Sequence, residues 1–161
     1  TTVGKQSASG LGGLALTDGQ STLKMATGFT VPGVAVDAVV GVASVSFTSN
    51  PFGGDGGKSP DGAVVSFEIS VDGATAPVSG LSTPLSIELR GRPTSSSVCK
   101  FWNTSASSWS TTGVTTAVVS GVLTCQTTHL TAFGSFTSSA AGVAASLLVA
   151  ALALVLQLTV A

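Results

Sequence analysis

Two short stretches carry the cleanest alternation in the chain. In Ala63–Ser70, Val65, Phe67 and Ile69 share one face, with Ser66 and Glu68 opposite. In Pro84–Arg90, Leu85, Ile87 and Leu89 point one way, Ser86 and Glu88 the other. A period of two is the signature of a half-buried strand. Val31–Thr48 is also strand-like, with alternation at Ala43, Val45 and Phe47. Further strand-like stretches are predicted at Val98–Trp102, Thr115–Thr124 and His129–Phe136, with weaker ones at Leu11–Leu16 and Thr22–Met25. Asp72-Gly73 marks a turn, and Asn50–Gly62, rich in Gly, Pro and Asp, is a surface loop. Before residue 140 no stripe has the 3.6-residue helical period. The pattern predicts an all-β fold, an antiparallel β-sandwich over residues 31–137. Residues 1–30 are weakly patterned and read as part of that domain or as a linker.

The end of the chain differs. Ala140–Ala161 is an uncharged apolar run of 22 residues, long enough to cross a hydrocarbon core of ~30 Å as a helix. Residues 138–161 are therefore expected to be a C-terminal hydrophobic anchor. Ser138, Ser139 and Ala140 ahead of the apolar run fit a glycosylphosphatidylinositol (GPI) signal, and a transmembrane helix is the alternative. The first residue is Thr1, without a signal-peptide pattern, and the expectation is a fragment or one C-terminal domain of a longer protein.

With 161 residues, the chain has room for one domain with a real core. Charged residues are 8% and the net charge is -1, which excludes nucleic-acid binding through a basic surface. Hydrophobic residues at 43% exclude a disordered chain. A lone histidine, with no cysteine pair at ligand spacing, predicts no metal and no other cofactor. Asn103-Thr104-Ser105 is an N-glycosylation sequon, compatible with the secretory route.

The chemistry-bearing residues concentrate in one stretch, Cys99–Phe136. It holds both cysteines, both tryptophans and the histidine. The spacing runs Cys99-Lys100-Phe101-Trp102, Trp109, Gly113, Thr124-Cys125, then His129-Leu130-Thr131-Ala132-Phe133. This resembles the GPS motif that ends the GAIN (autoproteolysis-inducing) domain of adhesion-type receptors, polycystin-like proteins and protist surface proteins. The resemblance covers 38 residues, and the strand Pro84–Leu89 also looks like the family's approach to the motif. Two departures stand out. Gly113-Val114 replaces the family's Gly-Cys, and Cys125-Gln126-Thr127 replaces its Cys-x-Cys. If the family's bridges run first-to-third and second-to-fourth, one whole bridge is lost and Cys99–Cys125 is kept. Two free cysteines are the alternative. A bridge implies an oxidising, extracellular-facing compartment. Phe101, Trp102, Trp109 and Phe133 read as structural core, with ligand stacking as the other use of the tryptophan rings.

The resemblance also implies a reaction. A threonine hydroxyl is a weak nucleophile that needs a base, and a neutral imidazole is one. His129 stands two positions before Thr131, so both side chains share a face on a regular strand. The resemblance assigns Thr131 as nucleophile, Leu130 as donor of the scissile carbonyl and His129 as general base. No carboxylate follows Lys100, so any acidic partner that orients the imidazole must come from upstream, such as Glu68 or Glu88. The implied function is a membrane-tethered, cell-surface domain that cuts itself once and keeps its own cleaved C-terminal strand. Its partners would be the membrane and an extracellular protein ligand. The alternatives are an uncleaved adhesion or structural module, and the ectodomain of a truncated receptor or channel.

Overall fold

The computed structural model describes residues 2–138. The expected C-terminal hydrophobic helix falls on residues 139–161, outside the described residues. Within them, regular structure is strand, apart from a three-residue 3-10 turn at Ala8–Gly10. Twelve strands follow in chain order: β1 (Thr2–Ser7), β2 (Ala15–Thr17), β3 (Ser21–Lys24), β4 (Val39–Phe47), β5 (Val64–Val71), β6 (Ala74–Ala76), β7 (Leu85–Leu89), β8 (Ser97–Asn103), β9 (Ser108–Ser110), β10 (Val114–Val119), β11 (Val122–Thr127) and β12 (Ala132–Thr137).

They form two antiparallel sheets. One is ordered β1-β4-β5-β12-β8-β9, with β6 added to β5; the other is β10-β11-β7-β3-β2. The expected sandwich is what the chain builds. β1 pairs with β4 and β3 pairs with β7, so strands from the weakly patterned N-terminal stretch are built into both sheets.

The alternating stretches face as their pattern dictates. Val65, Phe67 and Ile69 of β5 and Leu85, Ile87 and Leu89 of β7 are all buried in the core between the sheets. In β4 the buried face is Val40, Val42 and Ser44, whereas Ala43, Val45 and Phe47 occupy the opposite, outer face. The stretch Thr115–Thr124 is two strands, because Ser120 (φ 51°) and Gly121 (φ 78°) make a two-residue turn between β10 and β11. Asp72 (φ 51°) and Gly73 (φ 87°) do the same between β5 and β6. Positive φ at both central residues gives a turn whose twist matches the strands it joins.

A second cluster covers the outer face of the larger sheet. Val64, Trp109, Ala132 and Phe136 are buried there, with Phe47, Phe52, Val98 and Trp102 packed on them. The Asn50–Gly62 loop folds back over this face. Phe52 stacks on Trp102 at 5.0 Å between ring centroids, and Trp109 Nε1 donates to Gly53 O at 2.7 Å. Lys100 pairs with Asp55 of the loop at 2.5 Å. Both tryptophans thus belong to this second hydrophobic cluster and not to the inter-sheet core, and they hold a loop. Phe133 is in the inter-sheet core, and Phe101 is partly buried against it.

Cys99 and Cys125 are joined, Cα to Cα 5.7 Å. The bridge ties β8 in one sheet to β11 in the other. A second inter-sheet tie is Asp18, in the turn between β2 and β3. Its Oδ1 accepts from Gln20 N, Ser21 N and Ser21 Oγ, and its Oδ2 accepts from Ser44 and Ser46 of β4. Burial pushes this carboxyl up, but the hydrogen bonds from Ser44, Ser46, Gln20 and Ser21 outweigh it and bring the pKa down to about 2. Because the folded pKa is depressed, this contribution is full above pH ~4 and lost as pH falls towards ~2. Solvent screening of a half-exposed group keeps it at about 1 kcal/mol. Asp18→Asn is expected to lower stability at neutral pH, with the gap from wild type closing between pH 4 and 2. Urea unfolding of both proteins across that range checks it; a gap that stays constant contradicts it.

Candidate functional site

The residues 128–131 between β11 and β12 are the link on which the chain passes from one sheet to the other. His129, Leu130 and Thr131 lie here, where a strand starting at His129 was expected. The backbone is held on both sides: Leu81 N donates to Thr128 O (3.0 Å), Leu130 N to Val78 O (3.0 Å) and Phe67 N to Thr131 O (3.3 Å). Leu130 is partly buried against the inter-sheet core, which anchors the link by its side chain. The Leu130-Thr131 bond borders an open groove of about 460 Å³, shared with Phe101, Trp102, Asn103 and His129.

The His129 ring packs edge-on against Phe101, centroids 4.4 Å apart, and lies 6.0 Å from Phe133. Its Nδ1 is 3.1 Å from Thr127 Oγ1, while Nε2 is sealed from solvent without a hydrogen-bond partner. Burial pushes the imidazole pKa down, which favours the neutral, basic form. Thr131 Oγ1 donates to Trp102 O at 3.0 Å. The hydroxyl and the imidazole are therefore neighbours in sequence that use different partners. Neither carboxylate expected to orient the imidazole does so. Glu68 accepts from Thr75 Oγ1 and Glu88 from Lys24, each at 2.5 Å. Both project from strand positions opposite the buried side chains, whereas the His129 ring packs on rings of the inter-sheet core. A hydroxyl, Thr127, takes the place foreseen for a carboxylate.

In the sequence Thr127 stands out only as the position where the motif's last cysteine is missing. A threonine hydroxyl can close a local turn onto the N–H two residues on, but most threonines of the chain offer that same signal. Val114 and Thr127, the two positions lacking the motif's cysteines, are direct cross-strand partners in β10 and β11. Asn103 sits at the end of β8 beside the groove, its Oδ1 accepting from Ser105 N and Ala106 N.

The family model for GAIN subdomain B, the GPS family, matches residues 20–139. The chain belongs to this family. Among curated proteins no sequence matches it. In this GAIN subdomain B the motif's last strand, β12, is a central strand, paired with β5 on one side and β8 on the other. Phe133 and Phe136 are buried on its opposite faces. Its register with β8 runs unbroken through Gly134, where an added Cβ would stand 3.4 Å from Pro60 of the covering loop. No helix among the described residues is long and apolar enough to cross a membrane.

Proposed function

We propose that this GAIN subdomain B cuts itself between Leu130 and Thr131 and keeps the product strand. What supports the reading is the His129-Leu130-Thr131 sequence on the link between β11 and β12, where all three residues line one groove and one imidazole nitrogen has no hydrogen-bond partner. Thr131 Oγ leaves Trp102 O and attacks the Leu130 carbonyl carbon, and its proton passes to His129. The tetrahedral oxyanion collapses with cleavage of the C–N bond, and the proton goes to the departing Thr131 nitrogen. The resulting ester is hydrolysed by water to a Leu130 carboxylate and a free Thr131 hydroxyl. Nucleophile and carbonyl in one chain already have the proximity that a bimolecular reaction lacks. The event is a single turnover in cis. The cut strand stays because β12 is paired with β8 from Phe133 to Thr137 and with β5 at Ala132 and Phe133, and buries Phe133 and Phe136 on opposite faces.

The same reading places the domain at the cell surface, tethered through the apolar run 140–161 by a GPI anchor or a transmembrane helix, with Asn103 glycosylated. A protein ligand on the extracellular side completes the proposed partners. The uncleaved module is the second reading, and it has its own observation: Thr131 Oγ1 is held by Trp102 O and not by the imidazole. Denaturing electrophoresis decides between them. The wild-type chain is expected to give two fragments and Thr131→Ala one intact band. Intact wild-type chain alone would establish the uncleaved module.

A further inference from the structure

We propose that Thr127 is the positioning residue of His129, holding its ring in the Nδ1–H tautomer so that Nε2 carries the free lone pair. A threonine hydroxyl can donate one hydrogen bond and accept two. All three are directed at a single residue: Thr127 Oγ1 donates to His129 O at 3.0 Å, accepts from His129 N at 3.3 Å, and stands 3.1 Å from Nδ1. With the hydroxyl proton committed to the carbonyl, the contact with Nδ1 is made by a proton on the ring. The other ring nitrogen is then bare, as a base requires, and it is the one left without a partner. The reverse tautomer would leave a buried N–H donor unpaired and would take the hydroxyl proton from His129 O, both unfavourable.

The arrangement depends on the departure at this position. A cysteine bridged to residue 114 would have no hydroxyl to offer. Here the bridge is absent, Val114 lies across the strand pair, and Thr127 is 1% exposed at the edge of the core. Its buried hydroxyl ties the link back to β11 and orients the imidazole at the same time.

The role in cleavage rests on the self-cutting reading; the tautomer does not, so the two can fail separately. His129 is the chain's single histidine, and long-range proton–nitrogen spectra therefore show one imidazole. In nitrogen-labelled Thr131→Ala protein at neutral pH, the ring is expected as the Nδ1–H tautomer. Thr127→Val is expected to remove that preference and to slow cutting of the Thr131 chain about tenfold, the worth of one lost orienting hydrogen bond. Thr127→Ser is expected to restore both. An Nε2–H ring in the Thr127 protein, or a spectrum unchanged by Thr127→Val, overturns the proposal. Should Thr127→Val not fold, the spectrum of the Thr127 protein and the Ser variant still decide. An uncut wild-type chain with the expected tautomer would overturn the self-cutting reading and Thr127's part in it, while leaving the ring assignment standing.

Discussion

Phe133→Ala is expected to remove about 3–5 kcal/mol of stability, the usual cost of deleting a large ring from a rigid core. The ring is fully buried in the inter-sheet core. It stands on β12 opposite Phe101 of β8 and Val65 of β5, so the cavity would open beside two neighbouring strands. Total stability of a domain this size is about 5–15 kcal/mol, so the loss is a large share of what holds the variant folded. Phe136→Ala is the informative control. It removes the same atoms from the same strand but from the smaller outer cluster, which a loop covers. A loop can settle into the space more readily than a sheet, and the loss is expected to be smaller. Urea unfolding of both variants measures the difference; equal losses would mean that the outer cluster is as rigid as the inter-sheet core.

Loss of the Cys99–Cys125 bridge is the second large effect. The two residues are separated by 26 positions, and closing a loop of that length restricts the unfolded chain by about 3.5 kcal/mol. Both cysteines are fully buried, so Cys99→Ala with Cys125→Ala avoids placing new polar groups in the core. The double variant is expected to unfold at markedly lower urea, and the wild type with reductant is expected to follow it. An unchanged midpoint would show that the hydrophobic contact between the sheets suffices without the bridge. With one cross-link in place of two, the domain is expected to be the more sensitive to its removal.

The parts of the fold that could be read in advance are those where one face of a strand is apolar and the other polar. β5 and β7 meet that condition, and their buried residues follow directly from their patterns. β4 does not. Val39, Val40, Val42, Ala43, Val45 and Phe47 place apolar side chains on both faces, because one face meets the core and the other leads into the aromatic cluster. Periodicity alone cannot rank two apolar faces. The β10–β11 hairpin was obscured by its own uniformity: Val and Thr continue up to and beyond the turn, and Ser120-Gly121 is a weaker signal than Asp72-Gly73. β6 and β9, three residues each, are too short to show a period. The outer cluster was hidden because its members come from β4, β5, β8, β9, β12 and a loop, and no local pattern connects them.

For the candidate site, the motif located His129, Leu130 and Thr131 but not their surroundings. That the link leaves the strand, that Thr131 binds the Trp102 carbonyl and that Thr127 serves the imidazole are all consequences of tertiary contacts. The foreseen carboxylate partner failed for a similar reason. Glu68 and Glu88 alternate away from the core by the same period that made their strands legible.

The two apolar faces of β4 have a further consequence. A slip of one residue would exchange the two faces, moving the buried Val40 and Val42 outward and bringing Ala43, Val45 or Phe47 inward. The Asp18 carboxylate discriminates between the two outcomes. In the native register Ser44 and Ser46 meet it; after the slip, Ala43, Val45 or Phe47 would meet it and an ionised group would face hydrocarbon. Asp18 is therefore expected to favour the native alignment of β4, together with Gly41, where an added Cβ would stand 2.5 Å from Ser70 Oγ.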